Sequence, residues 1–510
     1  MKAYRSLAIG ILFLSILPSI YRLSHFKFWQ DEAETVLVAS SLSNSLVPLG
    51  RDSTNSYTQQ FDKEMGIENE WKLHPWFQFY WAYGVSSFFG KSDLVLRSGF
   101  AFFSLLTLAL ILLIPYLFEN KDLQRMALLS AIFLGFNIGF VLLTRQVRYY
   151  APNMFFLTAS IVLGLRFVKV SKGKYGFLVG AFVSTLLLLH TNYLSAIALV
   201  VASSSLLLIH RSKKTWMLLI SQGLAIAVNI PFLLWMLDSP YVKERLGQEG
   251  GNSAMSNFFQ YIEALVDDYF QWPFVIVLGL LLILIWKQKE IKANYGKPLL
   301  TSMAFVLVYL AVVGTASSSF FTRYLCGLLP LLALIKGQSV HLLLNKFKVN
   351  RHWPVLATVV LLLISEPYGK YWKSLSSEKK GPISAMVELL EQDLPLTEDM
   401  VIFCSYGDLS LKWYFGNQVW GSSEVYREPM AKADIVVFRK FAMGRKQADV
   451  IKSVKEKMKQ KNYMVASLKD SEDRPYEVRE TPDEYFKLFD NKRYPKITVM
   501  AKKSSFQTEE

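Results

Sequence analysis

Long apolar runs recur along this chain, near residues 5–24, 98–117, 127–143, 151–168, 175–190, 193–209, 215–235, 273–286, 299–316, 324–340 and 353–366. A bilayer core is crossed by an apolar helix of about 20 residues, because every backbone polar group inside it must be satisfied within the segment. Recurrence on this scale predicts a polytopic α-helical membrane protein of about 11 spans. Composition agrees: 52% of the residues are hydrophobic and 14% aromatic, with a mean hydropathy of +0.25, where soluble domains carry about 45–50% apolar residues. The first run follows Lys2 and Arg5, lacks a small-residue cleavage site and continues into Tyr21-Arg22-Leu23, so it reads as an uncleaved anchor.

The net charge of +15 does not point to nucleic acid. Much of the excess sits in short loops between apolar runs: Arg166 to Lys174, Arg211 to Lys214, Lys287 to Lys297 and Lys346 to Arg351. Such loops stay cytoplasmic, and so does the Lys2/Arg5 end. Parity then places residues 25–97, the turns 144–150, 190–193 and 317–323, and the long loop 236–272 on the opposite, external face. Within 25–97, the run from His74 to Gly90 is short and rich in Trp and Tyr, which suits an interfacial helix better than a span. The two cysteines, Cys326 and Cys404, form neither a disulfide framework nor a zinc spacing.

An odd number of spans carries the C-terminus outward. The expected domains are a membrane domain, 1–369, and a soluble external domain, 370–510. The latter mixes helical patterns at 383–392 and 446–460 with short apolar runs at 401–404, 434–438 and 497–500, which predicts a small α/β fold. The polar stretch 52–63 and the glycines near 247–252 mark loops expected to close over a substrate.

The outward turns carry an ordered set of motifs. Asp31-Glu32 follows the first span, His74-Pro75 precedes a run of aromatics, and Leu96-Arg97 opens the second span. Then come Arg145-x-x-Arg148-Tyr149-Tyr150, Leu189-His190-Thr191-Asn192-Tyr193, and Thr322-Arg323-Tyr324-Leu325 ahead of Pro330. Over about residues 5–340 this resembles the GT-C membrane glycosyltransferases, particularly the dolichyl-phosphate-mannose protein mannosyltransferases of glycosyltransferase family 39 and the bacterial lipid A aminoarabinose transferases. The resemblance implies a polyprenyl-phosphate-linked sugar donor and an external active site in a multi-pass plasma membrane protein, with a bacterial inner membrane as the working choice. Two departures leave sugar and acceptor (lipid, glycan or protein) open: Trp76 stands where a second proline is common after the histidine, and Thr191-Asn192 separate His190 from Tyr193.

Transfer from a lipid phosphate needs chiefly a base for the incoming nucleophile. The resemblance gives that part to Asp31, with Glu32 as runner-up; Glu34 lies one helical turn from Asp31 and shares its face. A guanidinium suits a donor phosphate, which makes the outward Arg97, Arg145, Arg148 and Arg323 candidates to bind it, with Tyr149 and Tyr324 beside them. His74, His190, Asn192 and Tyr193 are candidate substrate contacts. No cofactor is required, although two histidines near carboxylates are compatible with a divalent cation. The rival readings are a secondary transporter, which calls for broken, polar midplane helices, and a non-catalytic lipid-binding envelope subunit.

Overall fold

A computed structural model describes residues 2–246 apart from 53–54, 60–61, 170–174 and 209–210, then 254–270, 297–316 and 322–347, and shorter pieces up to residue 502. The first helix, α1 (Lys2–Ile20), leads through a turn to α2 (Gln30–Ser40). After an irregular stretch come α3 (Phe77–Phe89), α4 (Asp93–Leu117), α5 (Leu123–Gly135), α6 (Ile138–Thr144), α7 (Tyr150–Lys169), α8 (Tyr175–Leu189) and α9 (Tyr193–Ser203). Then follow α10 (Lys213–Ala227), α11 (Ile230–Leu237), α12 (Pro240–Leu246), α13 (Ala254–Ala264), α14 (Lys297–Ala316), α15 (Leu329–Lys346) and α16 (Trp353–Leu363).

Four of the described helices are long and apolar enough to cross a membrane, or up to six if each bent pair is one span. The pairs are α5 with α6, bent by 65°, and α10 with α11, bent by 46°. Both breaks have local causes. At the first, Asn137 leaves the helix and its side chain accepts from Phe140 N at 2.9 Å, capping a new one. At the second, Pro231 lacks the N–H that continuation would need. Shorter apolar helices, among them α8, add to a multi-pass membrane protein. The run expected at 273–286 lies largely outside the described residues, as do 247–252 and most of 446–460.

The membrane core is a cluster of apolar side chains in which α7 packs on α8 and α4, and α15 on α5. Small residues let backbones approach there. A Cβ at Gly337 would lie 2.8 Å from the Met126 carbonyl, and one at Gly135 would lie 2.7 Å from Ser15 Cα.

Beyond the spans, α17 (Pro382–Glu388) and α18 (Asp408–Phe415) pack with a five-stranded sheet. Its strands are β1 (Ile402–Cys404), β2 (Val419–Trp420), β3 (Ile435–Arg439), β4 (Tyr463–Leu468) and β5 (Ile497–Lys502), in the order β2-β1-β3-β5-β4. The β1 strand pairs in parallel with β2 and β3, while β5 runs antiparallel to β3 and β4. Ile383, Met386, Leu411, Ile402 and Val437 form its core. The described part of the first loop is tied by bridges Leu49–Glu70, Arg51–Ser56 and Met65–Trp71, and lies against α2 and α18 rather than open to solvent.

Candidate active site

The site is built on α2. Its sequence begins Gln30-Asp31-Glu32-Ala33-Glu34-Thr35, so two of its three carboxylates, Asp31 and Glu32, lie in the first turn at the positive end of the helix dipole. The apolar residues that follow bury Ala33, Val36, Leu37 and Val38 against Phe28, Trp71, Phe79 and Phe100. That packing fixes the rotation of the helix. Asp31, Glu34 and Thr35 then share one face, and Glu32 points to another.

Glu32 is fully engaged. Arg97 donates to it from Nε at 2.9 Å and from Nη2 at 2.6 Å, and Val147 N donates to the same carboxylate at 2.9 Å. The remaining Arg97 donors go to the carbonyls of Leu23, Phe26 and Lys27, so all five N–H groups are spent. Arg145 likewise donates to the carbonyls of Pro18, Tyr21 and Arg22. Sequence reasoning groups these two arginines with phosphate ligands and Glu32 with the base. In the structure all three hold the turn after α1 in place.

The other face of α2 gathers charge. Arg148 Nη1 donates to Glu34 Oε1 at 2.9 Å, to the Asp31 carbonyl at 3.0 Å and to Thr35 Oγ1 at 3.1 Å. Its Nη2 lies 3.0 Å from His74 Nε2 and 3.8 Å from Asp31 Oδ2. Arg323 Nη1 approaches that same Oδ2 at 3.8 Å from a separate element, the 3-10 turn Thr322–Leu328. Gln59 completes the cluster from the first loop. Its amide nitrogen donates to Asp31 Oδ1 at 3.0 Å and to Glu34 Oε2 at 2.5 Å. Two acids therefore face two guanidinium groups.

Exposure separates the members. The side chains of Glu34 and Arg148 are 1% and 3% exposed, whereas Asp31, Arg323 and His74 keep 14%, 21% and 26%, so these three form the rim that an incoming molecule meets. Burial pushes the Glu34 carboxyl up to about 7, opposed by the Arg148 charge and reinforced by that of Asp31. His74 is held well below its ordinary range by burial, then by Arg148 and Arg323. A neutral ring fits the geometry, since Nε2 must accept from a guanidinium that can only donate.

Tyr149 lies beside His74, with ring centroids 6.0 Å apart, and under Arg148 at 5.8 Å. Burial raises its hydroxyl well above the usual range; Arg323 opposes the shift and Tyr324 adds to it, which sets these residues in one neighbourhood. Tyr193 lies in the neighbourhood of Tyr324. His190 and Asn192 have other engagements. The His190 ring bonds Asn229 Oδ1 at 3.1 Å and its carbonyl accepts from Phe77 N, while Asn192 caps α9 by accepting from Ser195 N at 3.0 Å. Gln59 and Thr35 were not singled out by the sequence. Thr35 follows from helical spacing, but Gln59 sits in a polar loop with no signal.

Among the described residues no three His, Cys, Asp or Glu groups converge on a point where a metal ion would be held. Asp31, Glu34 and His74 each meet the Arg148 guanidinium instead.

No protein-family model and no curated protein matches the chain. Solved structures do match. ArnT from Cupriavidus metallidurans bound to undecaprenyl phosphate is 11% identical, with a TM-score of 0.56 over 98% of this chain and 97% of that one. The archaeal oligosaccharyltransferase AglB from Archaeoglobus fulgidus, in complex with an inhibitory peptide and a dolichol-phosphate, is 11% identical, with a TM-score of 0.50 over 85% of this chain and 69% of that one. Both have the GT-C fold, and so does this chain.

Proposed function

From the shared GT-C fold, we propose that this protein is an integral-membrane glycosyltransferase that moves a sugar from a polyprenyl-phosphate donor to a lipid, glycan or protein acceptor at the external face. The observation that carries the reading is Asp31 Oδ2, on the rim, with guanidinium groups from two separate elements each 3.8 Å away. An anionic base is thereby set beside a cationic cradle, which is what a nucleophile meeting an anionic leaving group needs.

In this mechanism the acceptor O–H or N–H lies against Asp31 and attacks the anomeric carbon. The bond from that carbon to the phosphate oxygen breaks, the electron pair leaves with the polyprenyl phosphate, and the acceptor proton passes to Asp31. Arg323, the more open of the two arginines, binds the phosphate, and Arg148 supports the growing charge from behind. Tyr149 and Tyr324 line the phosphate side. His74, as a neutral acceptor, fixes the Arg148 fork and can turn its other ring nitrogen to a sugar hydroxyl. Gln59 keeps the two carboxylates apart and oriented. In this reading Glu32, Arg97 and Arg145 shape the site without touching substrate.

The ArnT and AglB structures hold undecaprenyl phosphate and dolichol-phosphate, which supports a lipid-phosphate donor. The basic loops of the sequence favour a cytoplasmic N-terminus and an external site, with the C-terminal α/β unit outside. The test is Asp31→Asn in purified protein given a polyprenyl-phosphate sugar. Turnover should fall by about 100-fold or more with undecaprenyl phosphate binding retained. An unchanged rate would dismiss the base, and unaltered envelope glycans by mass spectrometry in cells lacking the protein would dismiss the transferase.

A further inference from the structure

The α18 helix belongs to the C-terminal α/β unit, yet it packs along α2. Gln30, immediately before Asp31, grips it at two points. Gln30 Nε2 donates to Asp408 Oδ1 at 3.0 Å, and Leu409 N donates to Gln30 Oε1 at 3.2 Å. One turn further along α18, Lys412 Nζ donates to the Ser56 carbonyl at 2.8 Å and lies 3.7 Å from Asp408 Oδ2. Ser56 is three residues before Gln59, the residue that spans Asp31 and Glu34. Asn55 Nδ2 also donates to Asn417 Oδ1 at 2.7 Å. On the approach to α2, Tyr414 accepts from Phe28 N and donates to Asp93 Oδ2, both at 2.8 Å.

These groups are not a surface rim. Gln30, Asp408 and Lys412 are each no more than 2% exposed. Burying an ammonium and a carboxylate is costly, and a pair so placed holds only where geometry and further hydrogen bonds repay the loss of water. Both branches of the contact end on the active-site carboxylates: Gln30 adjoins Asp31 in the chain, and Lys412 holds the loop segment that carries Gln59.

We propose that α18 is part of the active-site framework, with Gln30 and Lys412 as positioning residues through which the C-terminal domain sets the orientation of Asp31 and Gln59. The proposal rests on the transferase reading only for the statement that Asp31 does chemistry. A carboxylate displaced by an ångström is expected to lose about 100-fold in rate, whereas phosphate binding at Arg323 is left in place.

The test uses the full-length protein carrying Gln30→Met or Lys412→Met, with Lys412→Arg as the conservative partner that keeps a donor for Ser56. In both Met variants kcat should fall by about 10- to 100-fold while KM for the lipid donor and affinity for undecaprenyl phosphate stay within about threefold, and Lys412→Arg should recover most of the rate. Hydrogen–deuterium exchange should quicken at residues 30–35 and 56–59 and stay unchanged in β1 and β3. Rates within about twofold of the parent, or equal losses of kcat and of lipid affinity, would overturn the proposal. Should the parent transfer no sugar while the Met variants still quicken exchange at those residues, the framework stands and the transferase reading falls. Unaltered exchange there sinks the framework whatever the activity.

Discussion

Arg148 donates to His74 Nε2 across 3.0 Å, so the imidazole works as an acceptor and carries its proton on Nδ1. Protonating Nε2 would set two donors and two positive charges against each other at hydrogen-bond distance. The same arginine holds Glu34 on its other side, at 2.9 Å. One guanidinium thus couples a histidine that resists protonation to a carboxyl that favours it.

The two groups give stability–pH slopes of opposite sign. His74, depressed in the folded protein, makes stability fall as pH drops below its ordinary 6.5, because the unfolded chain takes the proton first. Glu34, raised from 4.5 to about 7, makes stability fall as pH rises across that interval, because the folded protein keeps its proton longer. Thermal unfolding in detergent should therefore show a midpoint that rises from pH 5 to 6.5 in Glu34→Gln and falls from pH 5 to 7 in His74→Gln, with the parent flatter than either. Parallel slopes in the two variants would contradict these assignments.

Substituting lysine for the two site arginines should separate their roles. Arg323→Lys keeps the charge but loses the fork, and should cost about 10-fold in kcat/KM for the lipid donor with the unfolding midpoint unchanged. Arg148→Lys gives up contacts with Asp31, Glu34, Thr35 and His74, and should lower kcat by about 100-fold together with the midpoint. Steady-state kinetics beside differential scanning fluorimetry would read both.

Glu32→Gln leaves the buried Arg97 guanidinium short of a counter-charge, and breaking such a pair costs about 3–5 kcal/mol. The double variant with Glu32→Met and Arg97→Met should recover no more than about half of that cost. The reason is that Arg97 also serves three carbonyls and Glu32 also accepts from Val147 N. Full recovery in chemical denaturation would show that those backbone contacts carry no weight.

Gly337→Ala should destabilise the membrane domain by about 1–3 kcal/mol, since its Cβ would press on the Met126 carbonyl at 2.8 Å and drive α15 away from α5. Undecaprenyl phosphate affinity, read at a temperature where the variant is folded, should stay unchanged.

Much of this site was legible in the chain. Asp31 and Glu34 fall on one face by helical spacing alone, and arginines at outward span ends run against the usual distribution of positive charge. Arg148 and Arg323 both come to Asp31. Residue type could not tell them from Arg97 and Arg145, because the difference lies in which carbonyls the turn after α1 leaves unpaired, a matter of tertiary geometry. Gln59, Gln30 and Lys412 were illegible for another reason. Each acts through a partner far off in sequence, and nothing local distinguishes a buried bridging amide from a solvated one. The bends at Asn137 and Pro231 interrupt runs that hydropathy reads as single spans.

The pairing of Gln30 with Asp408 joins residues 378 positions apart. At about 5–20 residues per second, a ribosome finishes the second partner roughly 20–75 s after the first. Throughout that interval Gln30 has no α18 to bond. A chain that has not yet reached residue 408 therefore lacks the contacts that tie α2 and the first loop to α18.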